Sequence, residues 1–279
     1  MTKPLLTRLK LNNYRCFEQI DMNFHERLTV LVAANGAGKT SILDAIAVAF
    51  GPFVGAFDEA YGKGFEGSDI RLNRVRKTSS NEMEYTSGGC SLLAQGYIPT
   101  LRVHSSYVSL DGIANGSSSE VPATWKRSLA NPKKAKTTIK DAQDLVLAGK
   151  KLQELVRTPK TEVVLPMISY YGTGRLWQLK KLTASTLPRT SRTIGYTNSL
   201  DPASSYKAFA EWFRYWTQSA LEAKFHALQR NQLPEVTEFD HYIASVSRAV
   251  DQCLAPAGWK NIQYSMARQE LVATHEMYG

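Results

Sequence analysis

A short apolar run, Leu28-Thr29-Val30-Leu31-Val32, leads into Ala33-Ala34-Asn35-Gly36-Ala37-Gly38-Lys39-Thr40-Ser41, and a helix-spaced segment follows. The nearly continuous apolar run predicts a buried central strand. From about Lys39 to Phe50 the residues Ile42, Leu43, Ile46 and Ala47 keep helical spacing. Strand, glycine loop and helix in that order are the setting of G-x-x-x-x-G-K-[ST], here with Ala33 in place of the first glycine. Gly36 and Gly38 let the backbone curl, so that successive N–H groups around Asn35, Ala37 and Ser41 converge on phosphate oxygens. The helix beginning at Lys39 turns the positive end of its dipole to the same anion. Lys39 is the residue expected to reach the β- and γ-phosphates of ATP, and the Thr40 hydroxyl is expected to ligate Mg²⁺. Ala33 fits its position at negative φ, so weaker rather than lost nucleotide binding is expected.

Two alternating segments precede the loop. Leu5, Thr7, Leu9 and Leu11 share one parity, and Ile20, Met22 and Phe24 share another, so two strands joined by a tight turn at Asn13–Phe17 are predicted. Residues 51–80 read as a glycine-rich, then basic, loop with one short element. Glu82 to Leu110 reads as two or three short strands, and Asp111 to Pro132 as irregular. A helix is predicted over Thr138–Arg157, capped by Thr137 or Thr138 with Asp141 in its first turn. Val163–Tyr171 reads as a strand that tolerates Pro166 near an end or edge. Thr183–Pro202 reads as a loop. Helices are predicted over Tyr206–Gln229 and about Val236–Leu254, then a hairpin from Trp259–Tyr264 and Gln269–His275. The organisation expected is a strand–strand–strand–loop–helix core over 1–56, an antiparallel β and loop region over 57–132, and helices with core strands over 133–279.

Composition closes off other classes. With 279 residues, 43% hydrophobic, the chain has enough apolar material for a core, which excludes disorder throughout. No apolar run approaches the ~18–20 residues a membrane helix requires, and no apolar signal core follows Met1, so a soluble cytoplasmic protein is expected. Three separated cysteines form neither a disulfide framework nor a zinc pattern, and the five histidines show no ligand spacing. The net charge is +9. Its bases concentrate in two acid-free stretches: Lys126, Arg127, Lys133, Lys134, Lys136 and Lys140, then Arg175, Lys180, Lys181, Arg189 and Arg192. These are either solvated loop charge or a surface that faces nucleotide or nucleic-acid phosphates. The stripe Phe209, Trp212, Phe213 and Trp216 reads as core or helix-partner surface ahead of a base-stacking platform.

The turn Asn13-Tyr14-Arg15-Cys16-Phe17 taken with the loop Asn35-Gly36-Ala37-Gly38-Lys39-Thr40 resembles the ABC-type ATPases of the structural-maintenance-of-chromosomes (SMC), RecF and overcoming-lysogenization-defect group. Tyr14 for Phe and Ala33 for Gly are the departures. The resemblance implies an α/β P-loop NTPase of ABC/SMC type, with a mixed sheet, an antiparallel β subdomain and inserted helices. It also implies that Arg15 lies near the nucleotide phosphates; the alternative is a surface arginine after a strand. Thr124-Trp125-Lys126-Arg127 and Leu165 to Trp177 are similar to a bacterial subgroup, the PtuA-like ATPases of Septu and retron defence systems. That likeness implies a homodimer or higher homo-oligomer, an HNH endonuclease partner, and in retrons a reverse transcriptase with its RNA–DNA product. In such ATPases a glutamine senses Mg²⁺ and γ-phosphate; Gln178 is the nominee, with a plain surface glutamine as the alternative. Arg175 would face nucleotide or a partner, and Trp177 would pack.

Two family motifs find no match. An apolar strand ending in Asp-Glu, which would hold Mg²⁺ and activate water, is approached only by Val236-Thr237-Glu238-Phe239-Asp240, with His241 in place of the second acid. Thr86-Ser87-Gly88-Gly89-Cys90 is the nearest approach to a signature sequence, and it reads better as a turn. The chain is therefore expected to be the N-terminal lobe of an ABC-type ATPase, able to bind ATP and poor at hydrolysing it alone. RecF-like DNA repair or chromosome maintenance, and a non-hydrolysing scaffold stabilised by nucleotide, are the alternatives to a defence role.

Overall fold

The alternation of Leu9 and Leu11, carried on by Tyr14, buries one face of β1 (Arg8–Tyr14) and leaves the other to solvent. In the computed structural model, which describes residues 5–58, 60–74, 83–85, 89–100, 119–132, 136–158, 163–173, 192–203, 206–233 and 235–278, this strand sits inside a four-stranded antiparallel sheet. It pairs with β2 (Phe17–Asn23), Leu11 opposite Ile20, and on its other edge with β5 (Cys90–Thr100), Leu11 opposite Leu92. Outside β5 runs β6 (Ser119–Leu129), paired along its whole length from Cys90–Leu129 to Thr100–Ser119. Asp111–Pro132 is thus not irregular throughout: Val121, Ala123, Trp125, Arg127 and Leu129 alternate, a period that the Gly and Ser residues just upstream obscure. A small ladder joins β3 (Leu72–Arg74) to β4 (Met83–Tyr85).

The inner face of the sheet, with Leu9, Leu11, Leu92, Ala94, Trp125 and Leu129, forms one buried cluster with Ala45, Val48, Ala49, Phe53 and Val54 of α1 (Lys39–Val54). This helix outruns its predicted end at Phe50, passing through Gly51 and Pro52. Pro52 has no N–H, so the carbonyl of Val48 loses its helical donor. Arg127 on β6 replaces it: Nη1 donates to Val48 O and to Lys63 O, each at 2.6 Å, and Nε donates to Thr138 O at 3.2 Å. Two residues earlier on the same strand, Trp125 Nε1 donates to Ala49 O at 3.0 Å, and its ring lies 5.7 Å from that of Phe50. The Arg127 residue is 4% exposed, and these three acceptors are all carbonyls. Burial lowers its pKa to about 10.

Against α1 packs α2 (Gln143–Arg157), through Leu145, Ala148 and Leu152. Gly149 permits the approach, because a Cβ there would meet Ala56 Cβ at 2.7 Å and Phe53 O at 2.8 Å. Neither expected threonine caps this helix. Thr137 Oγ1 accepts from Phe65 N and Thr138 Oγ1 from Ser128 N, and a 3-10 turn over Lys140–Ala142 carries Asp141 ahead of α2.

Two strand expectations are corrected. Leu28–Val32 joins no ladder among the described residues, and Leu28, Val30 and Val32 are 71%, 67% and 89% exposed, with only Leu31 packed on the core. Val163–Tyr171 behaves alike. Val163, Leu165, Ile168 and Tyr170 pack on the core, whereas Val164 and Met167 stand 89% and 85% exposed. A strand apolar on both faces becomes a buried strand only where other strands and a second layer cover it. Within Thr183–Pro202, Arg192–Tyr196 is a 3-10 helix whose Tyr196 ring stacks on Phe57 with centroids 4.3 Å apart.

The chain divides into two compact units, Met1–Gly172 with Thr190–Pro202, and Thr173–Arg189 with Ala203–Gly279. The second is built from α3 (Tyr206–Gln229), α4 (Glu238–Leu254) and a hairpin of β7 (Trp259–Ser265) and β8 (Glu270–His275). Phe213 and Trp216 of the aromatic stripe are buried, and Trp216 stacks on Phe239 of α4 at 5.4 Å, so packing accounts for them. Asp240 is a helix-capping residue: it accepts from Thr237 N, while Thr237 Oγ1 accepts from Asp240 N.

Candidate functional site

Glycine at 36 and 38 is what lets the chain turn from the extended segment into α1. Gly36 has φ +83° and Gly38 φ +93°, both in the left-handed region. The first helical bond runs from Ile42 N to Gly38 O at 3.1 Å. No side chain caps this helix and its first turn carries no acid, so its leading N–H groups face outward with no carboxylate to compete for them. A Cβ at Gly36 would meet nothing within 4 Å. Open space over a positive-φ glycine beside an uncapped helix start suits a phosphate group.

Lys39 Nζ donates to the carbonyls of Ala33 and Ala34, at 2.6 and 2.8 Å, which ties the ammonium across the mouth of its own loop. Thr40 is exposed at the second helical position and Ser41 half-buried at the third. Asn35, Gly36 and Ala37 form the exposed crest. The structure therefore gathers Asn35 through Ser41 at one place.

Gly38 also fixes the loop against the sheet. A Cβ there would lie 2.5 Å from Phe17 Cζ and 2.6 Å from Cys16 Sγ, so the β1–β2 turn abuts the loop. Gly38→Ala is expected to lower the melting temperature more than Gly36→Ala, which carries only the backbone cost of roughly 1–2 kcal/mol. Thermal melts of the two variants in parallel check this.

Arg15 stands in that same turn, at φ +47°. Its Nε donates to Asp69 Oδ1 and its Nη1 to Asp44 Oδ2, both at 2.7 Å. Lys63 Nζ donates to the other oxygen of Asp44 at 2.8 Å and lies 4.9 Å from the ring centroid of Tyr170. Asp44 and Asp69 are buried. Burial pushes the Asp44 carboxyl up, yet the hydrogen bonds from Lys63 and Arg15 outweigh it and hold the group below the usual carboxylate range. For Arg15, burial opposes the charge, and the bonds to Asp69 and Asp44 raise the guanidinium above its ordinary value. Arg15 thus meets carboxylates on one side and neighbours the loop through Cys16 and Phe17.

Sequence reasoning missed Asp44, Lys63 and Asp69. Asp44 had a signal: an acid four residues past Thr40, flanked by Ile42, Ala45 and Val48 on the apolar side of the helix. Gln178, Arg175 and Trp177 lie outside the described residues. Among the described residues there is no cluster of three or more His, Cys, Asp or Glu able to hold a metal. No helix is long and apolar enough to cross a membrane among the described residues.

Residues 8–238 match the family model described as an AAA domain, and the chain belongs to that family. Its α/β fold with the glycine loop fits a P-loop NTPase. Shorter matches join it to the DNA replication and repair protein RecF of Alkaliphilus oremlandii, 43% identical over 42 residues, 15% of this chain and 12% of that one. The DNA double-strand break repair Rad50 ATPase of Methanopyrus kandleri is 42% identical over 48 residues, 17% of this chain and 6% of that one. The OLD nuclease of Thermus scotoductus is 49% identical over 47 residues, 17% and 9%. These matches span about a tenth of the relatives' length. A solved structure from work on the ATP-driven dimerization and DNA-stimulated activation of SMC ATPases aligns at 17% identity and TM-score 0.31, over 52% of this chain and 80% of that one.

Proposed function

We propose that this chain is the ATP-binding part of an SMC/RecF-type ATPase, taking Mg·ATP at Asn35–Ser41. The observation that carries the reading is the uncapped start of α1, with two positive-φ glycines before it and Lys39 and Thr40 at its first positions. Lys39 would leave the carbonyls of Ala33 and Ala34 for the phosphates, and Thr40 would hold the metal. Bound Mg²⁺ would neutralise charge on the phosphates.

In this reading residues 1–279 serve as the N-terminal lobe, and hydrolysis depends on an acidic strand and a signature supplied from elsewhere. The apolar side chains exposed along 28–32 and 163–171 support that division, because further strands packed there would cover them. Assembly as a homodimer around nucleotide is proposed on the family resemblance, and work on nucleic acid is supported by the names of the RecF and Rad50 relatives. The finer role proposed is control of an HNH nuclease in an anti-phage system, with a reverse transcriptase and its RNA–DNA product as further partners in a retron. It rests on the likeness of Thr124–Arg127 and Leu165–Trp177 to the defence subgroup. DNA repair is the second reading, favoured by the RecF and Rad50 matches.

The test is equilibrium binding by calorimetry with ATP, ADP and AMP in the presence of Mg²⁺. ATP and ADP are expected to bind and AMP to bind at least about 100-fold more weakly, since it lacks the phosphates the loop and Lys39 would hold. Equal affinity for AMP, or no ATP binding at millimolar concentration, contradicts the reading.

A further inference from the structure

Beneath the loop lies a set of paired charges that the glycine motif does not include. Asp44 sits one helical turn beyond Thr40, about 6 Å along the axis at 1.5 Å per residue. Its two oxygens are divided between two cations from different segments: Oδ2 accepts from Arg15 in the β1–β2 turn, and Oδ1 from Lys63 in the loop after α1. Asp69 holds the same guanidinium from the other side through Nε, and its second oxygen accepts from Glu66 N at 2.8 Å, which fixes the carboxylate to its own turn. The backbone agrees with the side chains, for Arg15 N also donates to Asp69 O at 2.8 Å. Arg15 therefore has its position set twice, while its second Nη is committed to neither carboxylate and its side chain keeps 32% of its surface exposed. The two residues after it, Cys16 and Phe17, are those that touch Gly38.

We infer that Asp44 is a positioning residue of the nucleotide site, which together with Asp69 holds the Arg15 guanidinium at the flank of the phosphate loop, so that Arg15 serves as its second cation beside Lys39. The inference rests on the ATP-binding reading above. A guanidinium presents a planar fork of donors, and two carboxylates on neighbouring edges fix that plane while leaving the remaining edge for a phosphate oxygen. Burial of both carboxylates makes the arrangement stiff, because neither can swing into water without breaking a charge-assisted bond.

The experiment is a double-mutant cycle on Mg·ATP affinity in the intact chain, using wild type, Asp44→Asn, Arg15→Ala and the double variant, with Lys39→Ala as a control. Each single change at 44 or 15 is expected to weaken binding about tenfold, and the double variant to bind no more weakly than Arg15→Ala alone. Additive losses of about 100-fold in the double variant, or an Asp44→Asn protein that binds at wild-type strength or tighter, overturn the inference. A carboxylate that only braced the fold would lower the melting temperature without that non-additivity. Should Asp44→Asn fail to fold, Asp69→Asn removes the opposite carboxylate and completes the same cycle: non-additive losses support the inference and additive ones overturn it. Loss of binding in Lys39→Ala with full binding in Asp44→Asn sinks this inference alone. A wild-type chain that binds no ATP, or a Lys39→Ala chain that binds it undiminished, removes the nucleotide reading and this inference with it.

Discussion

Replacing Lys39 with alanine is expected to lower Mg·ATP affinity by about 10- to 100-fold and to leave the melting temperature almost unchanged. The first half follows from charge. Lys39 stands at the head of α1, and an ammonium bonded to phosphate oxygens contributes roughly 1.5–3 kcal/mol, with about 1.4 kcal/mol for each tenfold. The second half follows from its protein partners. Lys39 bonds to two carbonyls of its own exposed loop, and water takes those over when the side chain is cut back. Calorimetric titration of wild type and variant, with a thermal melt of each, reads both halves. A large fall in melting temperature would mean that Lys39 is part of the scaffold and not of the site.

The largest expected effect on stability lies away from the loop, at Arg127. Arg127→Leu is expected to destabilise the first unit by about 3–5 kcal/mol, since it leaves the buried carbonyls of Val48 and Lys63 without a donor. At about 2–4 °C per kcal/mol for a unit of this size, the melting temperature falls by roughly 10 °C. The effect has a distinctive rescue. Pro52→Ala restores an N–H one turn beyond Val48, so adding it to Arg127→Leu is expected to recover about 1 kcal/mol, more than it gives in the wild-type background. Urea denaturation of the four proteins measures the coupling. If Pro52→Ala gives the same increment in both backgrounds, Arg127 does not serve the interrupted helix.

The Arg127 contacts also give Thr124-Trp125-Lys126-Arg127 a packing role. The segment places an indole and a guanidinium two positions apart on one strand, and both donate to carbonyls of α1 where Gly51 and Pro52 disturb it. Packing requires those residue types whatever the protein does.

Local features were legible in the sequence. Parity in Leu9 and Leu11 marked β1, the Gly36–Gly38 pair marked the loop, and the periodicity of Tyr206–Gln229 matched α3 from end to end. The acid-poor aromatic stripe was readable as packing because Phe213 and Trp216 recur at a helical interval. What was not legible depended on distant chain. Nothing near Pro52 reveals that a strand more than seventy residues later supplies its missing donor. Arg15 meets Asp44 and Asp69, and Lys63 meets Asp44, only after the turn, the helix and the following loop are folded together. Leu28–Val32 misled for a related reason: an apolar run states that it prefers burial, and says nothing of which segment provides it.

A crystal structure of the chain grown with excess Mg·ATP tests the central claim most directly. The expected result is a triphosphate seated on the N–H groups of residues 36–40, with Lys39 Nζ moved from the carbonyls of Ala33 and Ala34 onto its oxygens. Nucleotide bound at some other place, with Lys39 still holding both carbonyls, would contradict it.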